Sequence, residues 1–428
     1  MGRDDLTTSA LNRLVRLGGL AGRVGASMAG NLLTGALQGI EQREDRRRET
    51  RRQNAEAVAE TLGRLKGVPM KIGQMLSLNE GLLPPEIAEI FSSLQQDAPA
   101  VSFDAIHDQI RTELGGAYRR VRRIDPDPHA AASIGQVHRG ELTDGRRVVF
   151  KVQYPGIDRV IRADMKNLKG VLKLVFSLLT EMDTEPVWQE LNDRLMEEID
   201  YRREATHMRR MARLWAGHPQ VVVPAVVDAL STRHVLCMER IEGIVPARAC
   251  APDTPQRLRN RWGRVLLEIF LDGLFRHRFL HADPNLANFA FMKDGRVAVF
   301  DFGCVKAVPA ALTKGYARLT RAVLKDRYER IPGLLQRMGV HFGDGRPVPL
   351  PLVSEYADVV RVPFASRKSY RFVPETGIYD QVLALGRKHW SVAATIVFPR
   401  DVIFIDRTIV GHFGNLARLR AAGPWGRM

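Results

Sequence analysis

The stretch that most constrains the fold is residues 280–303, LHADPNLANFAFMKDGRVAVFDFG. Two short apolar runs, 289–292 and 297–300, flank a turn that contains Gly295. Apolar runs joined by a short glycine-containing turn predict a β-hairpin. A hairpin returns the chain to its starting point, so we expect Asn288 and Asp301, at its two open ends, to lie close together.

The polar residues around this hairpin indicate phosphoryl-transfer chemistry. His281, Asp283 and Asn288 precede the hairpin, and the segment Asp301-Phe302-Gly303 follows it. One carboxylate near a hydroxyl acceptor, with an amide and a second carboxylate for Mg²⁺, is the arrangement of the protein-kinase catalytic loop and its Asp-Phe-Gly segment. An isolated Asp-Phe-Gly is a weak signal, whereas the ordered set is specific. The alternative is a pair of buried carboxylates in an unrelated hairpin.

The sequence before residue 280 predicts the first strands of a kinase N-lobe. We expect strands over 118–124, 137–142 and 146–152, with a loop of small residues (AAASIGQ) over 130–136 and Lys151 near the end of the last strand. Glycine-rich loops let backbone N–H groups wrap phosphates, and three alanines here predict a stiffer loop. Taken alone, Lys151 would be an ordinary lysine at a strand end.

The rest of the sequence after residue 152 predicts mostly helices. A helix over 186–215 carries Glu198 and Glu204, which are six residues apart and therefore point to different faces at 100° per residue. One acid could then face Lys151 and the other a different partner. Six further segments are predicted: a helix over 161–182, strands over 221–224 and 234–241, a hinge over 238–243 that contains Glu239, a helix over 258–279, and a helical, basic region over 309–428.

The N-terminal sequence has two further features. Residues 14–40 carry small residues at four-residue spacing and only two charges, Arg16 and Arg23. Interior glycines cost a helix about 0.5–1 kcal/mol each, so lipid or a partner helix would justify such a stripe. A flexible tail is the alternative, and Arg23 argues against an uninterrupted membrane span. Within 57–78, Lys71 and Gln74 share a helical face, although composition alone would make Lys71 a surface lysine.

Size and charge narrow the classes of partner. A chain of 428 residues can form two domains or one two-lobed domain. The 64 lysines and arginines against 48 acidic residues give a net charge of +16, which favours nucleotide phosphates or acidic lipid. Nucleic acid is not predicted, because the arginines are scattered without interleaved aromatics. Three cysteines without a CxxC spacing, and no secretory signal, predict a cytoplasmic protein.

Taken together, these segments resemble the ABC1/ADCK/UbiB family of atypical kinases, the AarF-like proteins. The matching positions span residues 71–303 in the order of the family's motifs: Lys71-x-Gly73-Gln74, Ala130-Ala131-Ala132-Ser133-Ile134-Gly135-Gln136, Lys151, Glu198-x-Asp200, Glu204-Ala205, His281-x-Asp283, Asn288 and Asp301-Phe302-Gly303. The first two motifs are peculiar to that family, so the resemblance is specific.

The resemblance implies an α+β, two-lobed protein-kinase-like fold with an N-terminal helical KxGQ extension and a mostly helical C-lobe. We expect a glycine-rich amphipathic helix, membrane-associated or oligomerising, over 1–40, the extension over 41–117, the N-lobe over 118–243 and the C-lobe over 244–428. In this family the extension and the alanine loop disfavour phosphorylation of peptides.

Roles for individual residues follow from the same resemblance. Lys151 would contact the α- and β-phosphates of ATP and pair with Glu204, and Lys71 would face Glu198 and Asp200. Asp283 would act in the chemical step, with Asn288 and Asp301 on Mg²⁺. The remaining positions predicted to contact the nucleotide are Ala131, Ala132, Ser133, Gly135, Gln136 and Glu239.

The resemblance also implies a function. The family supports isoprenoid-quinone biosynthesis, ubiquinone especially, or related lipid metabolism, so we expect an isoprenoid or phenolic lipid, an anionic membrane surface, and a quinone-biosynthesis complex or a homodimer as partners. The predicted location is cytoplasmic and peripheral on a membrane, because of the small-residue stripe and the two arginines of residues 14–40. UbiB-type members carry two C-terminal membrane helices, and no C-terminal run here is apolar enough to predict them. Two alternatives remain: a nucleotide-binding scaffold without turnover, and a small-molecule kinase of the aminoglycoside type.

Overall fold

The structure is a computed structural model that describes residues 101–428, apart from 133, 160, 163–164, 166–168, 170–184, 366–367, 376 and 394. The predicted helix over 14–40, the Lys71 motif and most of the predicted helix over 161–182 therefore lie outside the described residues. Contacts divide the chain into two compact units. Among the described residues, the first unit comprises those within 101–143, 150–200 and 232–235, and the second those within 144–149, 201–231 and 236–428.

Up to the middle of the chain, the structure contains helices and a four-stranded sheet. The elements are α1 (Phe103–Leu114), a 3₁₀ turn (Gly115–Arg120), β1 (Val121–Ala132), β2 (Gly135–Leu142), β3 (Arg147–Gln153), α2 (Glu185–Glu198), α3 (Tyr201–Leu214), β4 (Val221–Val222), a 3₁₀ turn (Asp228–Leu230) and β5 (Val235–Glu239). The sheet has the order β1-β2-β3-β5. Its first two strands form an antiparallel hairpin whose register runs from Val121 opposite Leu142 to Ala132 opposite Gly135.

The remainder of the chain is largely helical. Its elements are α4 (Pro246–Ala249), α5 (Gln256–Asp272), a π turn (Gly273–His277), β6 (Phe279–His281), a 3₁₀ turn (Leu286–Asn288), β7 (Phe289–Phe291), β8 (Val297–Val299), β9 (Val305–Ala307), α6 (Ala310–Leu324), a 3₁₀ turn (Tyr328–Arg330), α7 (Ile331–Arg337), β10 (His341–Phe342), α8 (Leu350–Arg361), β11 (Tyr370–Arg371), α9 (Ile378–Lys388), α10 (Trp390–Ala393), β12 (Ile396–Val397), α11 (Arg400–Arg418), β13 (Ala422–Gly423) and a final 3₁₀ turn (Trp425–Arg427).

The core of the second unit forms around α5. Trp262 and Ile269 of this helix belong to one buried apolar cluster, and Phe270 belongs to a second. The Trp262 indole N–H donates to the Met292 carbonyl at 3.0 Å, which joins α5 to the hairpin β7–β8. Burial of an aromatic side chain is worth about 1.5–3 kcal/mol, so these contacts fix the hairpin against the helix.

Three predicted segments are corrected. Ala130, Ala131 and Ala132 do not form a loop, because they pair with Val137, Gln136 and Gly135 and end β1 as a strand. Alanine has a pairing N–H and lacks the conformational freedom of glycine, so it can continue a strand to the turn.

The predicted single helix over 186–215 is two helices, α2 and α3, interrupted at Ile199 and Asp200. Aspartate is a residue type preferred immediately before a helix, which suits Asp200 as the start of α3. The predicted helix over 258–279 also ends early, since α5 gives way to the π turn and β6 follows it. No helix among the described residues is long and apolar enough to span a bilayer.

Candidate active site

Two loops of the second unit, 282–288 and 300–304, carry predicted catalytic and metal-binding residues. Backbone hydrogen bonds connect the two loops at both of their ends. The predicted hairpin is present, with Phe289 opposite Val299 and Phe291 opposite Val297. At its open end the Phe300 N–H donates to the Asn288 carbonyl at 2.7 Å. At the other end β6 pairs with β9, and the Ala282 N–H donates to the Cys304 carbonyl at 2.9 Å. The loop 282–288 therefore lies alongside the loop 300–304.

The buried side chain of His281 connects the two loops by hydrogen bonding to the backbone of the second one. It is buried, and its Nε2 lies 2.9 Å from the Asp301 carbonyl and 3.2 Å from the Phe300 carbonyl. Because both partners are acceptors, Nε2 must carry the proton. The ring also meets Phe302 edge-on at 5.7 Å between centroids. His281 thus positions the Asp301 backbone and does not reach toward a substrate.

Asp301, Asp283 and Asn288 differ in backbone conformation and in the hydrogen bonds that they make. Asp301 has φ of +53°, a left-handed conformation that costs a non-glycine residue roughly 1–2 kcal/mol, and its Oδ1 accepts the Gly303 N–H at 3.1 Å. Strain of this kind gathers at functional sites. Asp283 is half-buried, and its Oδ1 accepts the Asn285 N–H at 3.2 Å. The Asn288 amide nitrogen donates to the Asp283 carbonyl at 3.4 Å, which leaves the amide oxygen as the atom to offer a metal.

Side chains of helix α3 make hydrogen bonds to both the backbone N–H and the backbone carbonyl of Phe302. Buried Glu204 accepts the Phe302 N–H through Oε1 at 3.3 Å. His207, one turn along the same face, places Nδ1 3.1 Å from the Phe302 carbonyl, so that nitrogen donates. Glu204 was predicted as a partner of Lys151, whereas its contact with Phe302 and the role of His207 were not predicted. The i,i+3 spacing of the two residues was the available signal.

A second set of contacts comes from α11, which reaches the backbone on both sides of Asp283. The Arg407 guanidinium donates to the Ala282 carbonyl at 3.2 Å, and the Asn415 amide donates to the Pro284 carbonyl at 2.5 Å. Between them, a Cβ added at Gly411 would lie 2.2 Å from Cγ of Pro284. Arg407, Gly411 and Asn415 were not predicted, because no pattern in the sequence connects positions more than 120 residues apart.

In the first unit, five of the residues predicted to contact nucleotide lie on β1, β2 and β3. Lys151 is buried on β3, Ala131 is exposed and Ala132 is half-buried at the end of β1. Gly135 has no room for a side chain, since an added Cβ would lie 2.0 Å from the Val152 carbonyl oxygen. Gln136 is buried and uses both ends of its amide, donating to the Val101 carbonyl at 3.3 Å and accepting from His138 at 3.1 Å.

Gly135 and Gln136 therefore have structural reasons to be present, apart from any contact with phosphate. Glu198 and Asp200 are half-buried around the end of α2. Glu239, in the second unit, is exposed and accepts the Ala225 N–H through Oε2 at 3.3 Å. Ser133 and Lys71 lie outside the described residues. The roles predicted for all of these positions stay predictions, and so does the pairing of Lys151 with Glu204.

The donor set fits a Mg²⁺ ion that is shared with a nucleotide. Mg²⁺ is usually bound by one or two carboxylates together with waters and substrate phosphates, and Asp301 and Asn288 supply one carboxylate and one amide oxygen at the same end of the hairpin. Among the described residues no group of three or more histidine, cysteine or acidic side chains forms a metal site. The arrangement therefore suits a metal that arrives with phosphate and not a closed structural site.

Comparisons with known proteins match the same region and the same fold. The family model for the ABC1 atypical kinase-like domain matches residues 93–334. The chain is similar to the mitochondrial atypical kinase COQ8B of Rattus norvegicus, at 33% identity over 96% of this chain and 78% of that protein. It is 36% identical to COQ8B of Danio rerio over 63% of this chain, but spans only 43% of that protein.

A solved structure supports the fold. The chain is similar to Rv3197 from Mycobacterium tuberculosis, solved in complex with erythromycin, at a TM-score of 0.65 and 28% identity. The match covers 86% of this chain and 92% of that one, and together with the family model it shows a kinase-like fold. Since the family model covers more than half of the chain, and the two loops follow the order of motifs that defines the family, the chain belongs to the ABC1 atypical kinase-like family.

Proposed function

We propose that this protein binds ATP with Mg²⁺ and transfers or hydrolyses the γ-phosphate, in support of isoprenoid-quinone or related lipid biosynthesis. The observation that carries the proposal is the pairing of the loops 282–288 and 300–304. The hydrogen bond from Phe300 to Asn288 at one end and the bond from Ala282 to Cys304 at the other keep the predicted site residues Asp283, Asn288 and Asp301 on adjacent loops. Phosphoryl transfer depends chiefly on such positioning and on charge stabilisation.

Each of the three side chains has a distinct task in this proposal. Asp301 and Asn288 would hold Mg²⁺, which neutralises phosphate charge when bound. One oxygen of Asp283 is occupied by the Asn285 N–H, so the other is the one to accept a proton from a hydroxyl or water. Lys151 would contact the α- and β-phosphates, and Lys71 would face Glu198 and Asp200.

The experiment separates binding from turnover. Wild type should be stabilised by Mg²⁺-ATP by about 2–3 kcal/mol near hundredfold excess over Kd, and Asp301→Asn should lose most of that stabilisation. Asp283→Asn should keep nucleotide affinity within a few-fold while phosphate release or transfer collapses, because the carboxylate acts in the chemical step. Asp294→Asn is the matched control, since Asp294 lies in the hairpin turn and is paired with Arg296.

Two results would contradict parts of the proposal. Unchanged stabilisation in Asp301→Asn would remove Asp301 from the metal site. Nucleotide binding without any turnover in wild type, even with lipid and phenolic acceptors, would favour a scaffold. The pathway is tested separately by quinone and lipid profiling of a deletion strain that carries wild type or Asp301→Asn.

The proposal extends to a location on an anionic membrane surface. It rests on the net charge of +16 and on the small-residue stripe of residues 14–40. Sedimentation with anionic vesicles, compared for the full chain and for a chain without residues 1–40, tests this part. Equal sedimentation of both would exclude the N-terminal stripe as the attachment.

A further inference from the structure

A cavity of about 540 Å³ lies in the second unit and shares no residue with the two loops of the candidate active site. Its walls come from α6, the segment 327–330 and α7. Five arginines line it: Arg318, Arg321, Arg327, Arg330 and Arg337. Its volume falls within the range of small-molecule sites, about 300–1,000 Å³.

The charge of this cavity is largely uncompensated by the protein. The only acidic residue in its lining is Glu329, whose carboxylate lies 3.7 Å from the Arg330 guanidinium. In the described part of the chain, the other four arginines have no carboxylate within ion-pair distance. Elsewhere in the same unit exposed arginines do find one, as Arg346 does with Asp344 at 2.7 Å. Like charges gathered around one cavity repel each other unless an anion neutralises them.

The floor of the cavity differs from its rim. Ala322 and Leu334 are buried, so the floor is apolar. Gly333 of α7 is three residues after Arg330 and four residues before Arg337, which is the spacing of neighbours on one helical face. A Cβ added there would meet only Nη1 of Arg337, at 3.6 Å. The space above Gly333 is therefore open to a ligand.

We infer that this cavity is a second ligand site, which binds a phosphate-bearing group. Guanidinium forks bind phosphate oxygens in bidentate pairs, and the apolar floor would accept a small apolar part of the same ligand. The phosphate could belong to a soluble phosphate ester or to a lipid headgroup, because both present the same oxygens. This site goes beyond the proposed function and does not depend on it.

Calorimetric titration of the full chain with sodium tripolyphosphate tests the inference. A chelator in the buffer removes the Mg²⁺ that the active site would need. Arg321→Ala/Arg337→Ala should weaken binding at least about tenfold. The control Arg371→Ala/Arg387→Ala removes the same charge at exposed positions outside the cavity and should change Kd less than about twofold.

A second variant separates a shaped site from diffuse attraction. Gly333→Leu keeps all five arginines and fills the space above α7, and leucine suits a helix better than glycine. It should weaken tripolyphosphate binding as much as the double variant does. Full binding by Gly333→Leu, or equal losses in the two double variants, would overturn the inference.

Vesicles of equimolar phosphatidylcholine and phosphatidylglycerol distinguish the sources of phosphate. Vesicle binding that is lost in Arg321→Ala/Arg337→Ala, kept in Arg371→Ala/Arg387→Ala and competed by tripolyphosphate supports the site with a lipid headgroup as ligand. Tripolyphosphate binding with the expected losses, but vesicle binding equal in all variants, supports a soluble phosphate ester. Wild type that binds neither probe overturns the inference.

Discussion

At the scale of single residues, the backbone of Phe302 is the point where α3 acts on the candidate metal site. Glu204 accepts its N–H and His207 donates to its carbonyl, while its side chain is buried. Phe302 directly follows Asp301, which is strained at φ of +53°. The surrounding contacts must hold such a strained residue, so His207 is a positioning residue for Asp301.

This gives a test at His207. His207→Leu removes one hydrogen bond, worth about 1 kcal/mol, and should lower turnover roughly fivefold and raise the Mg²⁺ concentration needed for half-maximal activity. His207→Asn can donate to the same carbonyl and should restore most of both. Steady-state phosphate release over a range of Mg²⁺ concentrations measures this. Equal loss in both variants would assign His207 a packing role only.

At the scale of elements, α11 braces the loop that carries Asp283. Arg407 and Asn415 donate to carbonyls on either side of Asp283, and Gly411 lets Pro284 approach the helix. A helix is stiffer than the loop it touches, so it sets the loop's position. The C-terminal region is thus part of the candidate site, although it supplies none of the predicted catalytic residues.

Gly411→Ala tests this brace. The new methyl group would overlap Pro284, so the loop must shift, and we expect turnover to fall about tenfold to a hundredfold while nucleotide affinity changes only a few-fold. Gly414→Ala is the control on the same helix, because its Cβ would meet only the Tyr379 ring, at 3.2 Å. Both changes improve helix propensity equally. Similar turnover in the two variants would rule out the brace.

At the scale of the whole molecule, one buried histidine links stability to pH. His412 is fully buried on α11 beside Phe270 and Phe289, and neither of its nitrogens has a hydrogen-bond partner among the described residues. Burial first, and then the charge of His281, lowers the pKa of His412 to about 3. The folded protein keeps this ring neutral, whereas the unfolded chain takes up a proton near pH 6.5.

The sign of the pH effect follows from that difference. Because the folded pKa lies below the unfolded one, unfolding takes up a proton between these values, and stability is lost as the pH falls below about 6.5. The loss should reach about 2 kcal/mol by pH 5. His412→Leu should remove that part of the loss in urea unfolding, with each protein referred to its own value at pH 8. A wild-type slope in the variant would contradict the prediction.

Part of this protein could be predicted from short-range pattern. The hairpin β7–β8, the pairing of its ends and the proximity of Asn288 to Asp301 depend on residues within 24 positions of each other, and local propensity and turn chemistry are enough to specify them. The fold class and the family followed from the order of motifs. The alanine segment was wrongly predicted to be a loop, and residues 186–215 were wrongly predicted to be one helix without a break at Asp200. Strand pairing and helix ends depend on spatial neighbours that the sequence does not show.

The sequence by itself determined the family and its kinase-like fold, because the identity and order of Asp283, Asn288 and Asp301 are local facts. Only the tertiary structure decided what holds these residues in place: His207 on Phe302, and Arg407, Gly411 and Asn415 on the loop of Asp283. It also gathered the arginines of α6 and α7 around one cavity. Packing brings together residues that are distant in the chain, and no local propensity encodes which of them will meet.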